Sequence, residues 1–255
     1  MHPRAATAEK GDHAKSTKCV ILFTKSPIPN QVKTRLIERG LMGAEEAAEI
    51  YEAFLSDILE TVGRYAARNN IDLVISYFPK EGLDKILAVI RNLREPVKVV
   101  KFDLQEGSTF DLRMNSAFSK VFASGYQVAV IIGGDSPTIS ELHLDEAFTL
   151  LSKPQNPDGR VVVAGPGADG GVYLIGLRRE MPFDFAGVFQ KKDELDISLS
   201  MLEKKARKMS IQLLKTSTLY DVDVPSDMGV LREELSKNSE LAPHTRKILK
   251  RLRML

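Results

Sequence analysis

The sequence predicts an α/β domain with a mostly parallel central sheet and helices on both of its faces. Strand-like and helix-like segments alternate from Lys18 to Leu151, which is typical of repeated βαβ units. Residues 128–132 are apolar throughout, as expected of a central strand that is covered on both faces. The chain has 255 residues, which is long enough to bury a full core without disulfide or metal crosslinks.

The individual elements are predicted from the spacing of apolar residues. Apolar residues three and four positions apart indicate helices, and short β-prone apolar runs indicate strands. Strands are expected at 20–24, 71–78, 97–102, 128–132, 161–164, 172–177 and 211–214. Helices are expected at 44–68, 83–93, 110–122, 141–151, 193–209, 226–236 and 243–252. The close spacing of the strands after residue 160 predicts a β segment added to the parallel sheet.

The composition excludes several classes of protein. The 36 Lys and Arg nearly balance the 34 Asp and Glu, which gives a net charge of +2, so no surface dedicated to nucleic acid is expected. Cys19 is the single cysteine, and the four His are scattered. This pattern excludes an internal disulfide and a cysteine-based zinc site.

The hydropathy pattern predicts a cytoplasmic protein with no membrane span. No apolar run approaches the ~18 residues that a transmembrane helix requires. Residues 1–17 are polar and lack the apolar core of a secretory signal. We interpret residues 1–17 as a mobile tail and residues 18–255 as a single domain.

A basic loop follows the first predicted strand. It carries Lys25, Lys33 and Arg35, and it is stiffened by two prolines. If the loop is extended, Lys33 and Arg35 point the same way. Cations at the carboxyl end of a strand can hold a diphosphate. A solvated basic loop explains the same residues equally well.

Two glycines and an aspartate follow the central strand. Gly133 and Gly134 would let a ligand approach the backbone, and Asp135 would lie at the edge of the sheet where ligands bind. A carboxylate in this position suits Mg²⁺ or Mn²⁺, which complete their coordination with phosphate and water. The alternative is an aspartate that caps a turn or the next helix.

Residues 165–170 match the pattern G-x-G-x-x-G. A dinucleotide site would require a helix directly afterwards, but residues 171–177 are β-like, so we reject a Rossmann NAD site. A glycine-rich turn that carries Asp169 between two strands would remain, and it could line a substrate pocket. A plain tight turn is at least as consistent with the local sequence.

The segment 220–227 carries a second group of acids before a predicted helix. Asp221 and Asp223 flank Val222 on an extended stretch and therefore face one way. One of them could be a second metal ligand, although two solvated acids are the simpler local interpretation. Ser226 or Asp227 has the character of a helix N-cap.

Together and in this order, these motifs resemble one bacterial family. The motifs are 23–27, 32–36, 134–137, 165–176 and 221–227. The family is the glycosyltransferase-A-like family of radical-SAM/selenodomain-associated transferases, formerly a domain of unknown function. The resemblance extends from about Lys18 to Leu235, and it implies the fold of the nucleotide-diphosphosugar transferases. The same fold also serves nucleotidyltransferases.

The resemblance also implies roles for particular residues. A divalent cation, Mg²⁺ or Mn²⁺, would bind at Asp135 and be completed by Asp223. The implied nucleotide-phosphate contacts are Lys25, Lys33, Arg35, Gly133 and Gly134. The sugar or acceptor side would be lined by Gly170, Gly171 and Arg113, with Asp169 as the candidate catalytic base.

The chain also departs from the family pattern. Asn30-Gln31 stands where the family usually has Gly-Arg, and residues 108–114 lack the usual Gly-Glu pair. Phe189-Gln190-Lys191 replaces a Trp-Ser-Thr stretch, and Val172 replaces a Tyr. The nucleotide and metal motifs are therefore retained better than the acceptor motifs.

The function expected from the resemblance is a metal-dependent transfer of a sugar from a nucleoside diphosphate to a small-molecule acceptor. One alternative is a nucleotidyltransferase that joins a nucleoside triphosphate to a phosphorylated small molecule and releases pyrophosphate. Another alternative is a nucleotide-binding protein without turnover, which the missing Gly-Glu pair would explain.

Overall fold

The computed structural model describes residues 16–152, 160–181, 183–192 and 195–255. Its centre is a seven-stranded sheet with the order β3-β2-β1-β4-β6-β5-β9. The strands of this sheet are β1 Lys18–Lys25, β2 Asp72–Phe78, β3 Val99–Leu104, β4 Val128–Gly133, β5 Val161–Pro166, β6 Val172–Arg178 and β9 Gln212–Lys215. Two further short strands, β7 Lys191–Lys192 and β8 Leu195–Asp196, pair as a separate hairpin.

The sheet is mostly parallel, as predicted. β1 pairs in parallel with β2 and β4, β2 pairs in parallel with β3, and β5 pairs in parallel with β9. Among the described strands of this sheet, only β6 is reversed, since it pairs antiparallel with both β4 and β5. This reversed strand is the β segment that the close spacing after residue 160 predicts.

The helices cover both faces of the sheet, which confirms the predicted architecture. They are α1 Thr34–Glu38, α2 Ala44–Asn69, α3 Leu83–Arg91, α4 Phe110–Ala123, α5 Glu141–Ser152, α6 Ser198–Lys208, α7 Pro225–Lys237 and α8 Pro243–Arg251. Val20 and Leu22 of β1 join the core that contains α2, α3, α5, α7 and α8. Ile21 and Phe23 join the opposite core with α4 and α6. This alternation follows from the two-residue period of a strand.

Two local predictions were wrong. The basic loop is not extended at Lys33, because that residue is left-handed (φ 49°, ψ 34°) and begins the short helix α1. The helix expected at 193–209 begins only at Ser198, since Leu195 and Asp196 form β8. Short elements such as these carry too few residues to show a clear period.

The domain begins before the boundary that the sequence predicts. The Ser16 hydroxyl donates to the Asn70 carbonyl at 2.7 Å, and the Thr17 carbonyl accepts the Gln127 amide at 2.7 Å. These two residues are therefore attached to the body of the domain. The rest of the predicted tail, residues 1–15, lies outside the described residues.

No described helix has both the length and the apolar character needed to cross a membrane. The longest, α2, has 26 residues, but it carries acidic residues in its first turn and Arg68 in its last.

Candidate functional site

A cleft opens at the carboxyl ends of β1 and β4, where ligands bind in sheets of this type. It has two arms. The cationic arm, of about 440 Å³, is lined by residues that include Lys25, Lys33, Arg35 and Arg113. The apolar arm, of about 360 Å³, is lined by residues that include Met114, Ile131, Val172 and Phe189. The arms are continuous, because both are lined by Phe23, Phe110, Asp135, Lys191 and Asp223.

A buried ammonium group lies at the junction of the two arms. The side chain of Lys33 is only 1% exposed, and its Nζ bonds to Asp135 Oδ1 and lies 3.5 Å from Asp223 Oδ1. Arg35 Nη1 lies 3.3 Å from the other oxygen of Asp223. The structure thus brings together Lys33, Arg35, Asp135 and Asp223, which the sequence identified in three separate motifs.

Lys33 is buried, although the sequence predicts that it faces the ligand edge of the sheet as a phosphate contact. Burial lowers the pKa of Lys33, but the carboxylates of Asp135, Asp223 and Asp221 raise it above its ordinary value overall. The ammonium therefore stays charged and holds two carboxylates near each other. Those carboxylates remain 41% and 40% exposed, so they stay accessible from the cleft.

The helix α2 supplies the floor beneath this ammonium. Lys33 Nζ lies 5.3 Å from the ring centres of both Tyr51 and Phe54, a distance at which an aromatic face attracts a cation. The Tyr51 hydroxyl is in turn hydrogen-bonded to Thr24 Oγ1 at 2.8 Å. The packing of its side chain thus holds Lys33 in the left-handed backbone conformation. Strained conformations of this kind cluster at functional sites.

Gly134 is required for this packing. A Cβ atom there would lie 2.5 Å from the Tyr51 hydroxyl and 2.8 Å from Thr24 Oγ1. At Gly133 the nearest atom would be 4.0 Å away, and Gly133 lines the apolar arm. The sequence predicts that both glycines admit a ligand, but the space beside Gly134 is filled by the protein itself.

Gly134→Ala is expected to destabilise the protein by about 1–3 kcal/mol, which is the usual cost of overpacking a core. Urea denaturation would measure the change. Gly133→Ala is the matched control and should change the free energy of unfolding by less than half as much. Equal effects of the two substitutions would contradict this role for Gly134.

Asp221 is the buried acid of the site. Its Oδ1 accepts a hydrogen bond from the Ser136 hydroxyl, and it lines the apolar arm. Burial and the neighbouring charge of Asp135 raise the pKa of Asp221 from 3.8 to about 7. The amide of Val222 donates to the Asp135 carbonyl at 3.0 Å, which joins this segment to the loop after β4.

The raised pKa of Asp221 predicts a dependence of stability on pH. The folded protein binds this proton more tightly than the unfolded chain does, so the folded state should lose stability as the pH rises from about 4 to about 7. Asp221→Asn retains an oxygen for Ser136 but cannot ionise. In denaturant titrations without divalent metal, the advantage of the variant over the wild type should grow from pH 5 to pH 8. A constant difference would contradict the assignment.

Asp227 orients Asp223 from the first turn of α7. The Asp227 carboxylate accepts the amides of Asp223 and Val224 at 2.9 and 2.8 Å. The sequence predicts an N-cap at Ser226 or Asp227, but the helix begins at Pro225, with Val224 as its N-cap. Asp227 therefore caps the helix from within its first turn, which also fixes the backbone that presents Asp223.

Three further polar residues line the cationic arm. Lys25 Nζ donates to the Gln31 carbonyl at 3.3 Å. Arg113 lies 4.1 Å from the centre of the Phe78 ring, so it belongs to this arm and not to the glycine-rich turn. Gln105 donates to the carbonyls of Thr24 and Ser76 at 3.0 and 2.9 Å, which ties together the ends of β1 and β2.

The glycine-rich turn lies next to Asp196, a residue of the apolar arm, since a Cβ atom on Gly171 would lie 3.2 Å from Asp196 Oδ2. A strand, β6, follows it, which confirms that the dinucleotide pattern lacks its helix. Asp169 is exposed, and its Oδ1 accepts the Gly171 amide at 2.9 Å. Asp169, Gly170 and Gly171 are not among the described residues that line either arm. In this structure Asp169 therefore stabilises the turn, and its role as a catalytic base stays a prediction.

Sequence reasoning missed several residues that line the cleft. Lys191 borders both arms, and Asp196 lines the apolar arm beside Ser198. Phe110, the first residue of α4, is 48% exposed although it is aromatic. Phe110 directly follows Thr109, which caps the helix, and nothing in that local pattern marks it as a residue of the cleft.

Solved structures share this fold. A proposed nucleotide-diphospho-sugar transferase from Desulfovibrio desulfuricans G20 is 29% identical, with a TM-score of 0.74, and the match covers 92% of this chain and 95% of that one. A cytidylyltransferase from Leptospira borgpetersenii serovar Hardjo-bovis is 15% identical (TM-score 0.53; coverage 92% and 94%). A 4-diphosphocytidyl-2C-methyl-D-erythritol synthase from Anaerococcus prevotii is 13% identical (TM-score 0.51; coverage 87% and 100%).

No curated protein matches the chain. Residues 61–191, from the middle of α2 to β7, match the model of a family described as uncharacterized proteins conserved in bacteria (DUF2064). This match spans just over half of the 255 residues. The chain therefore belongs to the DUF2064 family, and it has the nucleotide-diphospho-sugar transferase fold.

Proposed function

We propose that this protein is a nucleotide-dependent transferase that moves a sugar from a nucleoside diphosphate to a small acceptor. One observation supports this most strongly. The buried Lys33 joins Asp135 and Asp223 at the point where a cationic arm meets an apolar arm. A donor in one arm and an acceptor in the other would place the reacting atoms beside these carboxylates.

The cationic arm is suited to the donor diphosphate. Arg35 is 38% exposed and can turn its guanidinium towards phosphate oxygens, which it binds in a bidentate fashion. Lys25, Arg113 and Lys191 line the same arm. Lys33 would act indirectly, because its ammonium group is already bonded to Asp135 and Asp223.

The two carboxylates fit a divalent cation such as Mg²⁺ or Mn²⁺. Both present partly exposed carboxylate oxygens to the cleft, and oxygen ligands are those that these hard cations prefer. Within the described residues, no group of three or more His, Cys, Asp or Glu is arranged to hold a metal. Phosphate and water would therefore have to complete the coordination, as is common for Mg²⁺.

Transfer would depend on the charge that develops on the leaving diphosphate. Arg35 and Lys25 would bind its phosphate oxygens, and Lys191 would approach it from the junction of the arms. Preorganised cations of this kind stabilise a transition state because they need no reorientation during the reaction. A bound divalent cation would add Lewis-acid stabilisation of the same charge.

The proposal is tested first by binding. Thermal unfolding is measured with a panel of nucleoside diphosphates and triphosphates, each with and without Mn²⁺. A nucleotide that binds the folded state raises the midpoint temperature in proportion to RT ln(1 + [L]/Kd). We expect an increase that requires both nucleotide and Mn²⁺; its absence with every nucleotide would contradict the proposed function.

Product analysis then separates the transferase classes. Release of nucleoside diphosphate from a panel of nucleotide sugars, in the presence of acceptor mixtures, would support sugar transfer. Release of pyrophosphate from a nucleoside triphosphate would instead identify a nucleotidyltransferase, and one protein with the same fold is named a cytidylyltransferase. Binding without either product over many turnovers would identify a nucleotide-binding protein.

A further inference from the structure

We propose that the apolar arm selects acceptors that have an aromatic or aliphatic body and no negative charge, and that it excludes phosphorylated acceptors. The proposal rests on the proposed function, in which the anionic donor occupies the cationic arm. It assigns a chemical class to the second substrate from the walls and the charges of this arm.

The walls of the arm are aromatic and aliphatic. The ring of Phe110 packs edge-to-face on Phe23, with centres 5.4 Å apart, and on Phe189, with centres 4.6 Å apart. Met114 and Ile131 form the adjoining wall. Phe110 is nevertheless 48% exposed, so a flat apolar ligand that covers it would remove apolar surface from water.

The charges of the arm oppose an anion. Among the described lining residues, the acids are Asp135, Asp196, Asp223 and the partly protonated Asp221, whereas the single base is Lys191. Lys33 and Arg35 partly neutralise Asp135 and Asp223 but approach them from the other arm.

The surroundings of Asp196 differ from those of Asp135 and Asp223. Its Oδ1 accepts the Ser198 amide at 2.8 Å, and no salt bridge to it is found within the described residues. A phosphate group carries about two negative charges at neutral pH, so it would meet like charges here.

The two arms thus separate substrates by charge. Recognition of a phosphorylated acceptor usually employs arginine, whose guanidinium matches phosphate oxygens in pairs. The cationic arm contains Arg35 and Arg113, but the described lining of the apolar arm contains no arginine. An uncharged or cationic acceptor is the class that this lining can accommodate.

The test uses three probes of one shape: 2-phenylethanol, 2-phenylethylamine and 2-phenylethyl phosphate. Met114 is 3% exposed and lines the arm, so its ¹³C-labelled methyl group reports occupancy by NMR. Met114→Leu assigns its signal. The alcohol and the amine should shift this signal saturably, and the phosphate should bind at least about tenfold more weakly.

Two variants locate the binding. Phe110→Ala should weaken the alcohol and the amine by about tenfold. The matched control Val230→Ala removes a side chain that is 49% exposed on α7, away from the cleft, and should leave binding unchanged. Asp196→Asn, which can still accept the Ser198 amide, should weaken the amine relative to the alcohol.

The proposal is overturned if the phosphate binds as tightly as the alcohol, if none of the probes shifts the Met114 signal, or if Phe110→Ala has no effect. The titrations contain neither nucleotide nor divalent metal. Their failure is therefore distinguishable from failure of the proposed function, which the nucleotide-dependent thermal shift tests separately.

Discussion

Asp135→Asn is expected to abolish the Mn²⁺-dependent stabilisation that a nucleoside diphosphate confers on the wild-type protein. Asparagine keeps the shape of the side chain and one oxygen for Lys33, so the fold should persist. It removes the negative charge of a residue that both arms share. Because stabilisation follows RT ln(1 + [L]/Kd), a loss of metal-assisted affinity appears directly as a loss of thermal shift.

The control for this variant is Asp84→Asn, which makes the same chemical change at an exposed position on α3. It should retain the full Mn²⁺-dependent shift. Asp223→Asn should reduce the shift without removing it, since phosphate and water can replace one carboxylate ligand. An unchanged shift in Asp135→Asn would show that Asp135 is not a metal ligand and serves only in the ion pair with Lys33.

Lys33→Met is expected to destabilise the folded protein by about 2 kcal/mol at pH 8, and by less at pH 5. Methionine fills the same space over Tyr51 and Phe54 but leaves Asp135 and Asp223 without their shared cation. Removing one member of a buried ion pair costs about 3–5 kcal/mol, and we reduce that figure because the two carboxylates are 41% and 40% exposed.

The destabilisation by Lys33→Met depends on pH because the substitution removes a positive charge beside the acids. In the wild type, the charge of Lys33 lowers the pKa of Asp221, which burial raises. Without the ammonium, this pKa rises further above its value in the unfolded chain, so the variant loses more stability as the pH rises. Urea denaturation at both pH values provides the measurement.

Arg35→Gln, at a side chain that is 38% exposed, should reduce nucleotide affinity and leave the free energy of unfolding nearly unchanged. Equal destabilisation by the two variants would refute the distinction between a buried cation and an exposed one.

Much of the fold was predictable because its signals are local. The apolar run at 128–132 and the helical spacing at 44–68 each lie within one element, and the structure places β4 and α2 there. The position of Asp135 was also predictable, since a residue that directly follows a central parallel strand must lie at the ligand edge of the sheet.

The interior of the site was not predictable in the same way. The bond from Lys33 to Asp135 joins residues that are 102 positions apart, and nothing near Lys33 in the sequence shows that its side chain is buried. Its left-handed backbone also contradicts the local expectation, because a lysine rarely adopts positive φ without tertiary support. The same limit applies to Asp169. An acid in a glycine-rich turn has the same local sequence whether or not a cleft lies beside it.

The reversed strand β6 brings its first residues into the wall of the apolar arm. Because β6 lies between β4 and β5, the ends of those two parallel strands are separated by about 9.5 Å, twice the usual spacing between strands. The chain enters β6 at this same edge, so Val172 and Tyr173 lie between those ends and line the apolar arm. A parallel strand in this place would require a longer crossover. Because β6 is paired with both of its neighbours, this wall of the apolar arm is a part of the sheet and not a loop.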